Sequence, residues 1–127
     1  MINAFLTVPK RRAVIIQKYI KNPLLLGGLK WDLRIYVFVT SFSPLVAYIC
    51  DDGLVRFSTE KYSLNTKNRY VHLTNYSINK KSKKFRQNHD ASSTEGHKWS
   101  MKILWGELKK EGHNTDKIWE DIKGTQV

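Results

Sequence analysis

The sequence predicts an α+β fold, with an antiparallel sheet in the first half followed by helices toward the C-terminal end. Three observations carry this. Residues 33–42 are dense in β-branched and aromatic side chains and are bounded by turn-forming residues. Short apolar segments flank Asp51-Asp52-Gly53, a tripeptide suited to a hairpin turn. Near the other end Met101, Leu104, Trp105 and Leu108 recur at i, i+3, i+4 and i+7, the spacing of one helix face.

In chain order, Val14-Ile15-Ile16 begins a short strand that continues through Gln17-Lys18-Tyr19-Ile20. Asn22-Pro23 and Gly27-Gly28 then break the chain, the glycine pair reading as a plain turn. Residues 33–42 form the main strand, and Ser43-Pro44 turns it. A second strand covers residues 46–49 and, after the turn at 51–53, a third covers 54–58. Residues 62–69 form a polar loop, and 70–74 a short extended segment. Residues 80–94 form a basic mobile loop, opening with Lys80, Lys81, Lys83, Lys84 and Arg86. The helix through Met101 stops at Gly112. Asn114 or Thr115 can cap a second helix, with Ile118, Trp119 and Ile122 on its inner side. Trp99, Trp105 and Trp119 are expected as core anchors.

A length of 127 residues fits one domain, and 41% apolar content excludes wholesale disorder. Lys and Arg number 22 against 11 Asp and Glu, so the net charge of +11 favours an acidic partner. Nucleic acid, an anionic membrane and an acidic protein tail all meet that description. The one cysteine, Cys50, excludes an internal disulfide and fits a reducing compartment. It ends an apolar run, so a buried, inert thiol is expected. The run 33–50 contains Arg34 and Pro44 and alternates, so it is no membrane span. The first nine residues lack the basic region of a signal peptide. The four histidines show no metal-ligand spacing and pair with no second cysteine, so no metal ligands are expected among these residues. Neither a P-loop nor a G-x-G-x-x-G motif is present.

One stretch combines charge with strand periodicity. In Lys30-Trp31-Asp32-Leu33-Arg34, alternation puts Lys30, Asp32 and Arg34 on one face if the strand starts by Lys30. Leu33, Ile35, Val37 and Val39 then share the other face, which should lie on the core. Two cations and a carboxylate on one sheet face can form a site. On chemistry alone the balance tips toward the plainer reading, a solvated strand entrance with an Asp32–Arg34 pair of little energetic value.

Several segments occur in a telling order: Gln17-Lys18-Tyr19-Ile20, Asn22-Pro23-Leu24, Lys30-Trp31-Asp32-Leu33-Arg34-Ile35-Tyr36, Asp52-Gly53-Leu54-Val55-Arg56-Phe57, and His72-Leu73-Thr74-Asn75-Tyr76-Ser77-Ile78-Asn79-Lys80. Together they resemble the successive motifs of the tubulin tyrosine ligase-like family, from about residue 9 to about residue 123. Pro9-Lys10-Arg11-Arg12 and Gly96-His97-Lys98-Trp99 are similar to its glutamylase branch, and within that branch to the monoglutamylase type.

The resemblance implies an ATP-grasp-like core, here a partial domain over 1–127 and truncated at both ends. It also implies an activity: ATP-dependent ligation of free L-glutamate onto glutamate side chains of tubulin tails through an acyl phosphate. The backbone of Gln17, Lys18, Tyr19 and Ile20 would meet adenine as a hinge between lobes. Lys30 would neutralise phosphate charge. Asp32 would sit by the ribose, a phosphate or a metal-bound water. Arg34 would touch phosphate or serve as an ion-pair partner. Thr74 and Asn75 would approach the nucleotide. Arg56 would hold a carboxylate of the incoming glutamate, with Tyr76, Ser77 and Lys98 in the same pocket. The magnesium ligands of the family, a Glu-x-Asn motif and a further acid, would lie beyond this segment, so little ligase activity is expected of the 127 residues alone. Tubulin as partner implies a cytoplasmic location on microtubules, including those of cilia or basal bodies. Trp31 stands where Phe is usual. Two other classes compete: a non-catalytic tubulin- or microtubule-binding module, and a basic nucleic-acid-binding module suggested only by charge and aromatic content.

Overall fold

The computed structural model describes residues 15, 17–88, 90 and 93–125. A four-stranded antiparallel sheet of order β1-β2-β3-β4 forms from Leu25–Leu26, Leu29–Phe42, Leu45–Lys61 and Lys98–Ser100. Two short helices, α1 (Arg69–His72) and α2 (Tyr76–Asn79), follow β3, and two longer ones, α3 (Met101–Lys110) and α4 (Thr115–Gly124), follow β4.

Local chemistry explains most boundaries. Gly27 and Gly28 both take positive φ, 57° and 77°, in the two-residue turn between the Leu26–Leu29 partners. Only such mirror-image turns match the twist of the paired strands, and glycine adopts them without Cβ strain. The Ser100 side chain caps α3 through the Ile103 N–H, and the Asn114 side chain caps α4 through the Lys117 N–H. Helix α3 ends in a Schellman motif: His113 N–H bonds the Leu108 carbonyl and Gly112 N–H the Lys109 carbonyl. Both predicted helices therefore form, with Gly112 at the stop.

The core lies between one face of the sheet and α3. Leu26, Val55, Phe57, Met101, Leu104 and Leu108 are buried together. Leu29, Trp31, Leu33, Ile35, Trp99, Trp105 and Trp119 pack around them. The three tryptophans act as anchors, as their positions suggest. Strand β2 begins at Leu29, so Asp32 and Arg34 alternate onto one face, while the pairing with β3 is irregular between Leu29 and Trp31, where Lys30 lies.

Five expectations need correction. Residues 17–20 form no strand; Val14 and Ile16 lie outside the described residues. Asp51-Asp52-Gly53 is not a hairpin turn but a wide irregularity within the single strand β3. Ile35 pairs with Gly53 and Val37 with Ile49, so Tyr36 alone faces residues 50–52. Residues 70–72 belong to α1 rather than to an extended segment, because the Asn68 side chain caps that turn through the Tyr70 N–H. Val37 and Val39 are exposed, since none of the described helices covers that part of the hairpin. Cys50 is exposed for the same reason.

Candidate functional site

Alternation along β3 sends Val55 and Phe57 into the core and Leu54 and Arg56 to the opposite face. There they meet Arg34 and Tyr36 from β2, the segment carrying Thr74, Tyr76 and Asn79, Phe85 from the basic loop, His97 just before β4, and Lys98 of β4. These residues line a cleft of about 320 Å³. Five residues singled out from sequence thus meet in one space: Arg34, Arg56, Thr74, Tyr76 and Lys98.

Asp32 sits at the cleft's edge and pairs across strands with Arg56, its register partner. Arg56 Nε donates to Oδ1 at 2.9 Å, and Nη2 donates to Oδ2. The fork is bidentate and partly screened from water. Those hydrogen bonds to Asp32 push the Arg56 pKa above its ordinary value, so it stays a guanidinium. The Asp32–Arg34 pairing left open by the sequence does not form. Neither Arg34 nor Lys98 has an acidic partner among the described residues.

The walls are tied down by groups to which sequence reasoning assigned no role. Asn79, 1% exposed, uses its full amide capacity. Its Oδ1 accepts from Thr59 N–H and Oγ1–H at 3.0 Å each, and its Nδ2 donates to the Leu73 and Asn75 carbonyls. Strand β3 is thereby clamped to the segment that carries Thr74. On the other wall Phe85 stacks on His97 and meets Tyr76 edge-on. Burial holds the His97 pKa below the ordinary 6.5. His72 and Asn79 lie inside a motif quoted from the sequence, but their packing roles depend on residues far along the chain.

The remaining predicted residues are more scattered. Lys30 is half-buried beneath Tyr19: its Nζ donates to the His72 carbonyl at 3.0 Å and lies 4.8 Å from the Tyr19 ring centroid. A second, shallow hollow of about 550 Å³ adjoins it, lined by Tyr19, Lys21, Leu64, Asn65 and His72. Gln17, Lys18 and Ile20 are exposed and line neither space. Asn75 and Ser77 are exposed and contribute no side chain to the cleft lining. No cluster of three or more His, Cys, Asp or Glu side chains suited to a metal ion occurs among the described residues, and no described helix is long and apolar enough to cross a membrane.

Comparison with known proteins agrees with the ordered motifs. The chain is 48% identical over 130 residues to tubulin monoglutamylase TTLL4 of Mus musculus, an alignment covering all of this chain and 11% of that protein. It is 42% identical over 114 residues to tubulin polyglutamylase TTLL5 of Mus musculus, covering 87% of this chain and 9% of the relative. It is 43% identical over 119 residues to tubulin polyglutamylase TTLL7 of Mus musculus, covering 91% and 13%. The chain thus spans about a tenth of the length of these relatives. The profile of the tubulin-tyrosine ligase family matches residues 1–126, and the chain belongs to that family.

Proposed function

We propose that this chain contributes to the catalytic core of an ATP-dependent ligase that joins L-glutamate to glutamate side chains of tubulin tails. One observation carries the reading: a cleft with apolar walls gathers Arg34, Arg56 and Lys98, and two of these cations lack acidic partners among the described residues. A dicarboxylate amino acid needs this arrangement, because each buried carboxylate must find its own cation or donor. Relatives named as tubulin glutamylases supply the reaction class.

In this reading Arg56 spends Nε and Nη2 on Asp32 and keeps its Nη1 donors for a carboxylate of glutamate. Lys98 and Arg34 take the remaining negative charge, and Tyr76 borders the same pocket. The nucleotide lies on the other side of Asp32. The hollow beside Tyr19 and Leu64 receives the base, Lys30 meets phosphate, and Thr74, which lines the cleft, offers its hydroxyl. ATP, when bound, supplies the phosphoryl group that activates the acceptor carboxylate for attack by the amine. Lys30 and Arg34 offset the charge that develops as phosphate departs. No step is assigned to magnesium, since the described residues hold no ligand set for it. The exposed lysines at 80, 81 and 83, of which Lys80 lies over the ring of cleft residue Tyr76, suit an acidic tail.

Titration calorimetry of the chain with L-glutamate, in the presence of ATP, tests this. Arg34→Ala and Lys98→Ala should each weaken glutamate binding about tenfold. Absence of glutamate affinity in the millimolar range, or no loss in either variant, overturns the assignment. Tubulin binding that persists without affinity for ATP or glutamate would favour the non-catalytic module instead.

A further inference from the structure

His72 connects the polar groups around Lys30. Its Nε2 faces the Thr66 carbonyl at 2.8 Å. A carbonyl can only accept, so Nε2 carries a proton, and in the neutral imidazole Nδ1 is then an acceptor. Nδ1 takes the Tyr19 O–H at 2.9 Å. The Tyr19 oxygen, its proton spent, presents a lone pair to Lys30 Nζ at 3.4 Å. The same ammonium donates to the His72 carbonyl at 3.0 Å. Edge-on contacts from Tyr19 and Tyr62 hold the imidazole plane, and Tyr62 O–H donates to the Lys21 carbonyl at 2.7 Å.

A lysine ammonium has three N–H donors on a flexible stem. Here two point at protein oxygens and the ring face of Tyr19 lies below, which leaves one direction free. We propose that His72 is a positioning residue: its carbonyl directly, and its imidazole through Tyr19, hold the Lys30 ammonium with its remaining N–H offered to a phosphate-bearing ligand. This rests on the nucleotide reading above. It adds that the lysine is organised before the ligand arrives, so binding does not have to freeze its side chain.

Two measurements on the 127-residue chain separate the positioning role from the nucleotide reading. The first needs no ligand: brief acetylation with limiting reagent, followed by mass spectrometry, compares Lys30 with Lys117 on α4. His72→Phe keeps a ring without nitrogens, and Tyr19→Phe removes only an oxygen from a partly exposed side chain, so it keeps the test usable if the first variant fails to fold. Each should raise the relative reactivity of Lys30 about fivefold, the effect of one lost hydrogen bond. The second is titration with ATP and with adenosine. Both variants should lose about fivefold more affinity for ATP than for adenosine, whose base shares the hollow that Tyr19 and His72 line, and a Lys30→Met background should abolish that difference. Unchanged Lys30 reactivity in both variants overturns the positioning role whatever the nucleotide result. Equal losses for ATP and adenosine also overturn it, since a merely structural residue would weaken both. Altered reactivity in a native chain that binds no ATP overturns the phosphate assignment and leaves only the packing.

Discussion

The two halves of the β2–β3 hairpin share strands and composition but not surroundings. In the base, Leu33, Ile35, Val55 and Phe57 lie in or against the core under α3, while their alternate neighbours Asp32, Arg34, Leu54 and Arg56 face the cleft side. In the tip, Phe38, Phe42, Leu45 and Tyr48 are 66, 85, 70 and 61% exposed. The apolar residues of the base are sorted by face; those of the tip have no layer among the described residues to be sorted against. Strand propensity therefore extends the hairpin, but among the described residues only the base has a second layer that fixes which side chains point where.

The comparison can be broken from the base most forcefully. Leu104 is fully buried against that face, and Leu104→Ala should cost about 2–5 kcal/mol in denaturant unfolding through lost transfer energy and a residual cavity. Next is Gly53, at the boundary between the halves. A Cβ there would lie 2.4 Å from the Arg34 carbonyl oxygen and 2.8 Å from Met101 Sδ. Gly53→Ala should cost about 1–3 kcal/mol and displace Arg34, since the nearest obstacle is backbone. Asp32→Asn should cost about 1 kcal/mol, a figure discounted because both partners are partly in water.

A smaller effect sharpens the contrast through pH. Burial disfavours charged His97 in the folded chain. The unfolded chain then binds the proton more readily, so this contribution is complete above about pH 6.5 and is lost as the pH falls through the lower folded value. The urea midpoint should fall across that range, and His97→Gln should flatten the dependence. The smallest effect on stability belongs to the tip. Phe42→Ser, at an 85% exposed position, should change the free energy of urea unfolding by no more than about 0.5 kcal/mol.

What the sequence revealed follows the range of the interactions involved. Helices α3 and α4 were legible because their spacing, caps and stops are local, and Gly112 and Asn114 act within one turn of chain. That Asp32 and Arg34 share a face follows from alternation alone. The partner of Asp32 does not: Arg56 is 24 positions away, and the pairing depends on a cross-strand register that no local pattern encodes. Asp52-Gly53 was misread because turn chemistry looks the same at a hairpin and at an irregularity within a strand. Cys50 was misplaced because an apolar neighbourhood in sequence implies burial only where something lies above it. Asn79 was passed over because an asparagine at a helix end has an ordinary local explanation, whereas its partners Thr59 and Leu73 come from outside its turn.

The three-against-one step opposite Tyr36 has a consequence for how this segment can vary in length. Adding one residue to a regular strand inverts every side chain beyond it, because the pleat has a period of two. The step already absorbs unequal numbers on the two strands, so insertions or deletions on its distal side need not propagate past Gly53. Length variation across relatives should therefore collect beyond that point. A single-residue insertion between Gly53 and Arg56 would exchange Val55 with its charged neighbour and unmake sheet and cleft together.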